Sequence, residues 1–333
     1  MSPYRHSTET HRALVQIGSW LRETGYAMVA PTPETHRRVN ARPDNATARD
    51  VRGVFGWSRP FEPSLLPEGI VHLLHEAAAV DAAGTLLQSR VRFATLAGEL
   101  FVHSAYPTLD EDSVFFGPDT SRFASFVSRA IEVLERTARR DRPRSARLVD
   151  IGCGSGAGGL LAARQLGSSI DEIVLSDVNQ EALAYSAINA ELAGLSATCV
   201  ESDVLAGVEG EFDLVLANPP YLVDDAARAY RHGGASHGTD LSLRIARESL
   251  ERLAPGGTLL LYTGAPIVDG TDVFRARVEP LVAEHQYTFR YLELDPDVFG
   301  EELDRPAYDT VERIAAIGLV AQRPTRSHGE ETP

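Results

Sequence analysis

The sequence predicts an α/β protein: a seven-stranded, mostly parallel sheet with one antiparallel strand, preceded by a smaller N-terminal α+β module. Three observations carry that prediction. From residue 146 onward, short apolar runs alternate with segments of helical periodicity, the pattern of a parallel sheet covered on both faces. The first run, Leu148-Val149-Asp150-Ile151, opens into Gly152-Cys153-Gly154-Ser155-Gly156. The fourth, Phe212–Ala217, stops abruptly at Asn218-Pro219-Pro220-Tyr221. At 333 residues and 36.1 kDa the chain exceeds what one hydrophobic core usually serves, which favours two domains.

Residues 8–24 read as an amphipathic helix with Leu14, Ile17 and Leu21 on its apolar stripe. Pro31 to Pro60, rich in Pro, Asn and Arg, reads as connecting structure with one short helix. A second helix is expected over 66–80, where Leu66, Ile70, Leu73, Leu74 and Ala77 fall at helical spacing. Val91–Leu96 and Leu100–His103 flank Ala97-Gly98-Glu99 and predict a hairpin. Residues 119–138 form a further helix, with Asp119 or Thr120 as N-cap. Arg139-Arg140-Asp141-Arg142-Pro143-Arg144 follows as a polar joint, a solvated linker or a phosphate contact. Strands are then expected at 147–151, 172–176, 197–201, 213–217, 258–263, 288–294 and 313–322, with helices at 157–167, 180–193, 239–253 and 272–285. The division is a module at 1–115, a sheet domain at 116–323 and a disordered tail at 324–333. Trp20 and Trp57 are assigned to the core.

Composition excludes several classes. Hydrophobic residues at 43% and charged residues at 24% are ordinary globular values, which rules out a disordered or fibrous chain. All 32 basic residues are Arg; without Lys there is neither a Schiff-base lysine nor a P-loop lysine. Cys153 and Cys199 are too few for a disulfide framework or a cysteine-rich zinc site, and no metal ligands are proposed. No signal peptide and no run of eighteen apolar residues is present, so the expected location is the cytoplasm, away from membranes. The net charge of −15 makes a small-molecule or protein acceptor the expected partner and nucleic acid the less favoured one.

Glycines at alternate positions after a buried strand permit a tight turn and close approach of a ligand to backbone. Asp177 ends the second strand 21 positions beyond Gly156, where a carboxylate can accept both hydroxyls of a ribose. Asp203, at the end of the third strand, can reach an adenine amino group or serve as a turn residue. A nicotinamide fingerprint would read G-x-G-x-x-G, whereas this loop reads G-x-G-x-G. In Asn218-Pro219-Pro220-Tyr221, the Asn side-chain carbonyl and the Pro219 backbone carbonyl can hold an –NH₂ group by both hydrogens. Tyr221 can stack on the planar group that carries the nitrogen.

These motifs together resemble the class I S-adenosylmethionine-dependent methyltransferases of the amino-methylating branch, over roughly 117–322, and imply a Rossmann-like fold. The resemblance implies that Gly152, Cys153, Gly154 and Gly156 line the methionine part of the cofactor, with Asp150 near its amino group. It assigns Asp177 to the ribose, Asp203 to the adenine amine, and Val178 and Val204 to the same cofactor wall. Asn218, with Pro219, Pro220 and Tyr221, would hold the acceptor nitrogen. Phe116-Gly117-Pro118-Asp119-Thr120 also resembles a segment of the release-factor glutamine methyltransferases, which carry Arg before the Pro and Glu after the Thr where this chain has Gly117 and Ser121. The ribosomal-RNA amino-methylating enzymes share the layout with an extra N-terminal domain. The expected reaction is methylation of an amide or amino nitrogen on a protein side chain or small metabolite. The alternatives are an RNA or DNA amino-methyltransferase (adenine-N6 or guanine-N2), a cyclase releasing methylthioadenosine, and a silent cofactor-binding module.

Other groups stay open at this level. Tyr230–Gly238, with His232 and His237, is either a loop closing over the acceptor or a surface cap of the next helix. Phe101–Tyr106 either faces the pocket or is a packed strand. Cys153 is read as chosen for size rather than reactivity.

Overall fold

The computed structural model describes residues 7–108, 110–137, 146–223 and 233–325. Helix α1 (Thr8–Glu23) begins where the Ser7 hydroxyl accepts the Thr10 N–H, and its Leu14, Ile17 and Leu21 are buried as the periodicity requires. The following segment holds two short helices rather than one, α2 (Pro33–Asn40) and α3 (Val51–Phe55). Helix α4 (Glu68–Glu76) is shorter than the expected 66–80. Ala78 adopts φ +51°, which closes the helix, and the chain turns into a hairpin of β1 (Val80–Ala83) and β2 (Leu86–Ser89) that the pattern had not indicated. The expected hairpin follows as β3 (Val91–Leu96) and β4 (Glu99–Ser104). Trp20 and Trp57 are half-buried at the edge of this core rather than inside it.

Helix α5 (Pro118–Thr137) leads towards the sheet. Then come β5 (Ala146–Ile151), α6 (Ala157–Leu166), β6 (Ile170–Asp177), α7 (Gln180–Ala193), β7 (Thr198–Glu201) and β8 (Phe212–Ala217). The remaining elements are α8 (Ala235–Gly238), α9 (Asp240–Arg252), β9 (Leu253–Val268), β10 (Thr271–Asp272), α10 (Val273–Glu284), β11 (Thr288–Asp295) and β12 (Arg313–Gln322). The sheet order is β11-β12-β9-β8-β5-β6-β7, with the two-residue β10 appended to β9. Among the seven long strands only β12 opposes its neighbours, so the Rossmann-like arrangement is the expected one. Strand order reverses beside β5, and open α/β sheets bind ligands at the carboxyl ends next to such a reversal. The arginine joint at 139–144 and the tail from 326 lie outside the described residues.

Helix α7 ties the two parts together. It is apolar almost all round because both of its sides are covered. Leu183 and Ala190 join the sheet core, whereas Ala182, Tyr185, Ile188 and Leu192 join the N-terminal core with Leu14, Ile17 and Phe93. Gly18 of α1 allows the close approach, since a Cβ there would sit 2.8 Å from a Leu192 methyl. Between them lies Asn189, fully buried. Its Oδ1 accepts the Val102 N–H (2.7 Å), and its Nδ2 donates to the carbonyls of Val102 (3.0 Å) and Ser155 (2.9 Å). One amide thus joins β4 to the glycine loop.

Candidate active site

A cavity of about 990 Å³ opens at the carboxyl ends of β5, β6, β7 and β8, at the upper limit of the ~300–1,000 Å³ usual for ligand pockets. Its inner wall is the glycine loop. Gly152, Gly154 and Gly156 take φ of +64°, +54° and +75°, which side chains rarely adopt. A Cβ on Gly152 would meet nothing within 4 Å, so the loop backbone faces open space. The Gly154 N–H donates to Asp177 Oδ2 and the Asn179 N–H to Asp177 Oδ1, both at 2.9 Å. Those bonds lower the Asp177 pKa, but burial outweighs them and raises it. Each carboxylate oxygen keeps accepting capacity beyond these bonds. Asp150 accepts the Gly159 N–H at 2.7 Å, and burial with the Asp177 charge pushes its carboxyl up to about 7. The Cys153 thiol is buried against Ser186 Oγ and raised well above its ordinary pKa, which suits a packing role.

Val178 lines the cavity with 53% of its surface exposed, a large apolar side chain left open. Val204 lines it from a left-handed backbone, φ +54°. Asp203 also reaches the cavity, but its Oδ1 is held by Arg244 Nη1 at 2.8 Å on the rim.

The Asn-Pro-Pro-Tyr turn forms the outer wall, and a residue from another element organises it. Asp119, in the first turn of α5, is not an N-cap: its carboxylate points at this turn. Oδ1 accepts the hydroxyls of Tyr221 and of Tyr262, on β9, each at 2.7 Å. Oδ2 lies 3.4 Å from Asn218 Nδ2, which donates to it. Burial raises the Asp119 pKa, opposed by those three donors and by the nearby Arg122. With Nδ2 committed, Asn218 Oδ1 is buried without a hydrogen-bond partner. Among the described residues four buried side-chain atoms are so placed, the others being Gln180 Oε1, His237 Nδ1 and Ser249 Oγ. Only Asn218 of these lines the cavity.

Tyr221 is held by its hydroxyl as well as its ring, a tighter arrangement than stacking alone. Gly264 makes room for it, because a Cβ there would run into the Tyr221 ring. Phe299 packs edge-on to Tyr221 at 5.9 Å from a left-handed backbone (φ +56°), a strained conformation for so bulky a residue. Thr32, Arg37, Arg38 and Tyr106 of the N-terminal region line the same cavity. Sequence reasoning missed Asp119, Tyr262, Gly264, Phe299, Thr32, Arg37 and Arg38 as site residues, whereas Tyr106 belongs to a stretch for which a pocket-facing position was left open. Only Asp119 had a usable signal, in the Pro118-Asp119-Thr120 segment. His103 is buried with its ring stacked on Phe116 at 5.0 Å, so that stretch is a packed strand, with Tyr106 alone reaching the cavity. Tyr230–His232 lie outside the described residues; His237 is not in the cavity wall.

Residues 129–267 match the methyltransferase small domain. The match agrees with the motif resemblance. A release factor glutamine methyltransferase of Deinococcus radiodurans is 32% identical over 180 residues, covering 51% of this chain and 59% of that protein. One of Rhodopirellula baltica is 28% identical over 226 residues, covering 63% and 71%. Ribosomal RNA small subunit methyltransferase C of Sodalis glossinidius is 30% identical over 149 residues, covering 44% and 39%. The chain thus spans 59% and 64% of the first two curated relatives it matches. The charge argument against nucleic acid finds no support in this set, since one group of relatives is named for ribosomal RNA. No helix among the described residues is long and apolar enough to cross a membrane. The methyltransferase cofactor, S-adenosylmethionine, fits the residues present: an open glycine cradle, acids at the ends of β5, β6 and β7, and an exposed apolar side chain beside them.

Proposed function

We propose that the protein is an S-adenosylmethionine-dependent methyltransferase acting on a planar –NH₂ group, foremost a side-chain amide of a protein. One observation carries this reading: the buried, unpartnered Oδ1 of Asn218 in the cavity wall. A fold leaves a buried acceptor unpaired at a cost of about 1–3 kcal/mol unless a ligand supplies the donor. An amino or amide nitrogen supplies it, as does a hydroxyl; the neighbouring Pro219 carbonyl offers a second acceptor, and the pair matches a group that carries two hydrogens.

In this reading residues 116–323 form the catalytic unit and 1–115 a cap that helps to recognise the acceptor. Gly152, Cys153, Gly154, Gly156 and Asp150 cradle the methionine part of the cofactor, Asp177 the ribose, and Val178, Asp203 and Val204 the adenine. When bound, the cofactor supplies a methyl group on a positively charged sulfur. Asn218 Oδ1 and the Pro219 carbonyl hold the two acceptor hydrogens, which directs the nitrogen lone pair out of the π-system. Tyr221 and Pro220 cover the acceptor and exclude water. Positioning of this kind can supply on the order of 7–11 kcal/mol. The nitrogen sheds its proton after alkylation, to Asn218 or to water.

Relatives named for release-factor glutamine support a side-chain amide; those named for ribosomal RNA support the exocyclic amine of a base as second reading. Incubation with methyl-labelled cofactor and cell extract, followed by sorting of the label, separates them. Label in protein or small molecules is the expected result, and label in RNA moves the acceptor to a base. Methylthioadenosine in place of S-adenosylhomocysteine would make the protein a cyclase. Binding without turnover would make it a silent module. Calorimetry should show micromolar binding, roughly −8 kcal/mol, weakened at least tenfold by Asp177→Ala. Absence of binding by either S-adenosyl compound would overturn the whole reading.

A further inference from the structure

We propose that Asp119 is the positioning residue of the acceptor site: its carboxylate sets the rotation of the Asn218 amide, turns Oδ1 into the cavity and fixes the Tyr221 ring beside it. The inference rests on the acceptor-nitrogen reading and adds to it the device that makes Asn218 selective.

The two ends of an asparagine amide have nearly the same shape, so packing alone does not choose between its rotamers. Hydrogen bonding does. An ionised carboxylate only accepts. With Asp119 Oδ2 3.4 Å from the near end of the amide, that end must be the NH₂, because the flipped rotamer would set oxygen against oxygen. The opposite end, buried without a partner on a residue of the cavity wall, is then an acceptor and selects for a hydrogen-bond donor on the ligand. The hydroxyls of Tyr221 and Tyr262 complete the arrangement by donating to Oδ1 of the same carboxylate at 2.7 Å. Three donors around one carboxylate stabilise its charged form.

The titratable and charged groups that face Asp119 are Tyr221, Tyr262 and Arg122. Both phenols are pushed far above their ordinary range by burial and the adjacent charge, so neither ionises near neutrality. Burial also raises the Asp119 pKa. Acidification therefore neutralises Asp119 at a higher pH than an ordinary aspartate. The protonated carboxyl becomes a donor, which favours the flipped Asn218 with its oxygen turned away from the ligand. Activity should fall as pH drops through that raised pKa.

Asp119→Asn is the decisive variant. It keeps size and shape, and when its carbonyl serves the two tyrosines its NH₂ meets Asn218, forcing the flip. Expected is a ~10²-fold loss of labelling of the extract acceptor in kcat, with KM and calorimetric cofactor affinity within about threefold. The acid limb of the wild-type pH profile should vanish, and Asp119→Glu should restore part of the activity. Asn218→Ala is run in parallel. If it keeps wild-type labelling, the acceptor-nitrogen reading itself is wrong. If it loses labelling while Asp119→Asn keeps both labelling and pH profile, only the role of Asp119 is overturned. A measurement on unmodified protein needs no acceptor: the ¹⁵N side-chain amide signal of Asn218, identified by its loss in Asn218→Asp. It should shift with pH above the ordinary carboxylate range, and a signal indifferent to pH there overturns the proposal.

Discussion

Two asparagines of this molecule are wired in opposite ways. Asn189, at the joint between the N-terminal region and the sheet, uses its oxygen and both amide hydrogens on the backbone of β4 and the glycine loop. Asn218, in the cavity wall, donates one hydrogen bond and leaves its oxygen buried and idle. The first pattern is what a packed interior favours, since a buried polar group left unpaired costs about 1–3 kcal/mol. The second, on a residue of the cavity wall, leaves an acceptor that a ligand can complete. In the reading proposed above, Asn189 is the structural amide and Asn218 the binding one.

Removing each amide should separate the two roles. Asn189→Ala strands the Val102 N–H and two carbonyls, at about 1–3 kcal/mol for each group left unpaired. A loss of about 4 kcal/mol in unfolding free energy is expected by urea titration, together with reduced cofactor affinity because Ser155 belongs to the loop. A loss under about 1 kcal/mol would mean that the joint is not held by this residue. Asn218→Ala should do the reverse. Single-turnover methyl transfer should fall ~10²–10³-fold, while urea stability and cofactor affinity stay near wild type. A large stability loss would place Asn218 with the structural class. The smallest effect is expected from Arg244→Ala on the rim. The Arg244–Asp203 pair is roughly half exposed on both sides, and such pairs contribute ~0–1 kcal/mol. Calorimetric cofactor affinity should weaken by no more than about threefold. A tenfold change would show that Arg244 aims Asp203 at the adenine.

The sheet was legible because parallel strands covered on both faces read as continuous apolar runs, and because glycine and proline punctuate their carboxyl ends. Helix α4 was overrun at its end because Ala77-Ala78-Ala79-Val80 has helical composition, while the stop is a left-handed alanine that composition does not signal. The hairpin of β1 and β2 escaped notice because its strands are short and mostly half-buried, with no clean alternation. Within the site, the glycine loop, Asp177 and the Asn-Pro-Pro-Tyr turn are local motifs, and local motifs can be read. Asp119 reads as a helix-start residue because its sequence neighbours are those of a helix start. Its partnership with Tyr262, 143 positions away, exists only once β9 lies beside β8. The same holds for Arg37 and Arg38, whose helix α2 is anchored through His36 to Trp57 and Arg92, in the N-terminal region that packs through α1 and β4 on α7.

That packing also sets an order of events during synthesis. Leu14, Ile17 and Leu21 leave the ribosome well before Tyr185, Ile188 and Leu192, yet all six share one core. At ~5–20 residues per second the early segment waits on the order of ten seconds or more for its missing wall. During that interval α1 and the hairpin of β3 and β4 present an apolar face with nothing to cover it. The N-terminal region is first in the chain and among the last to close.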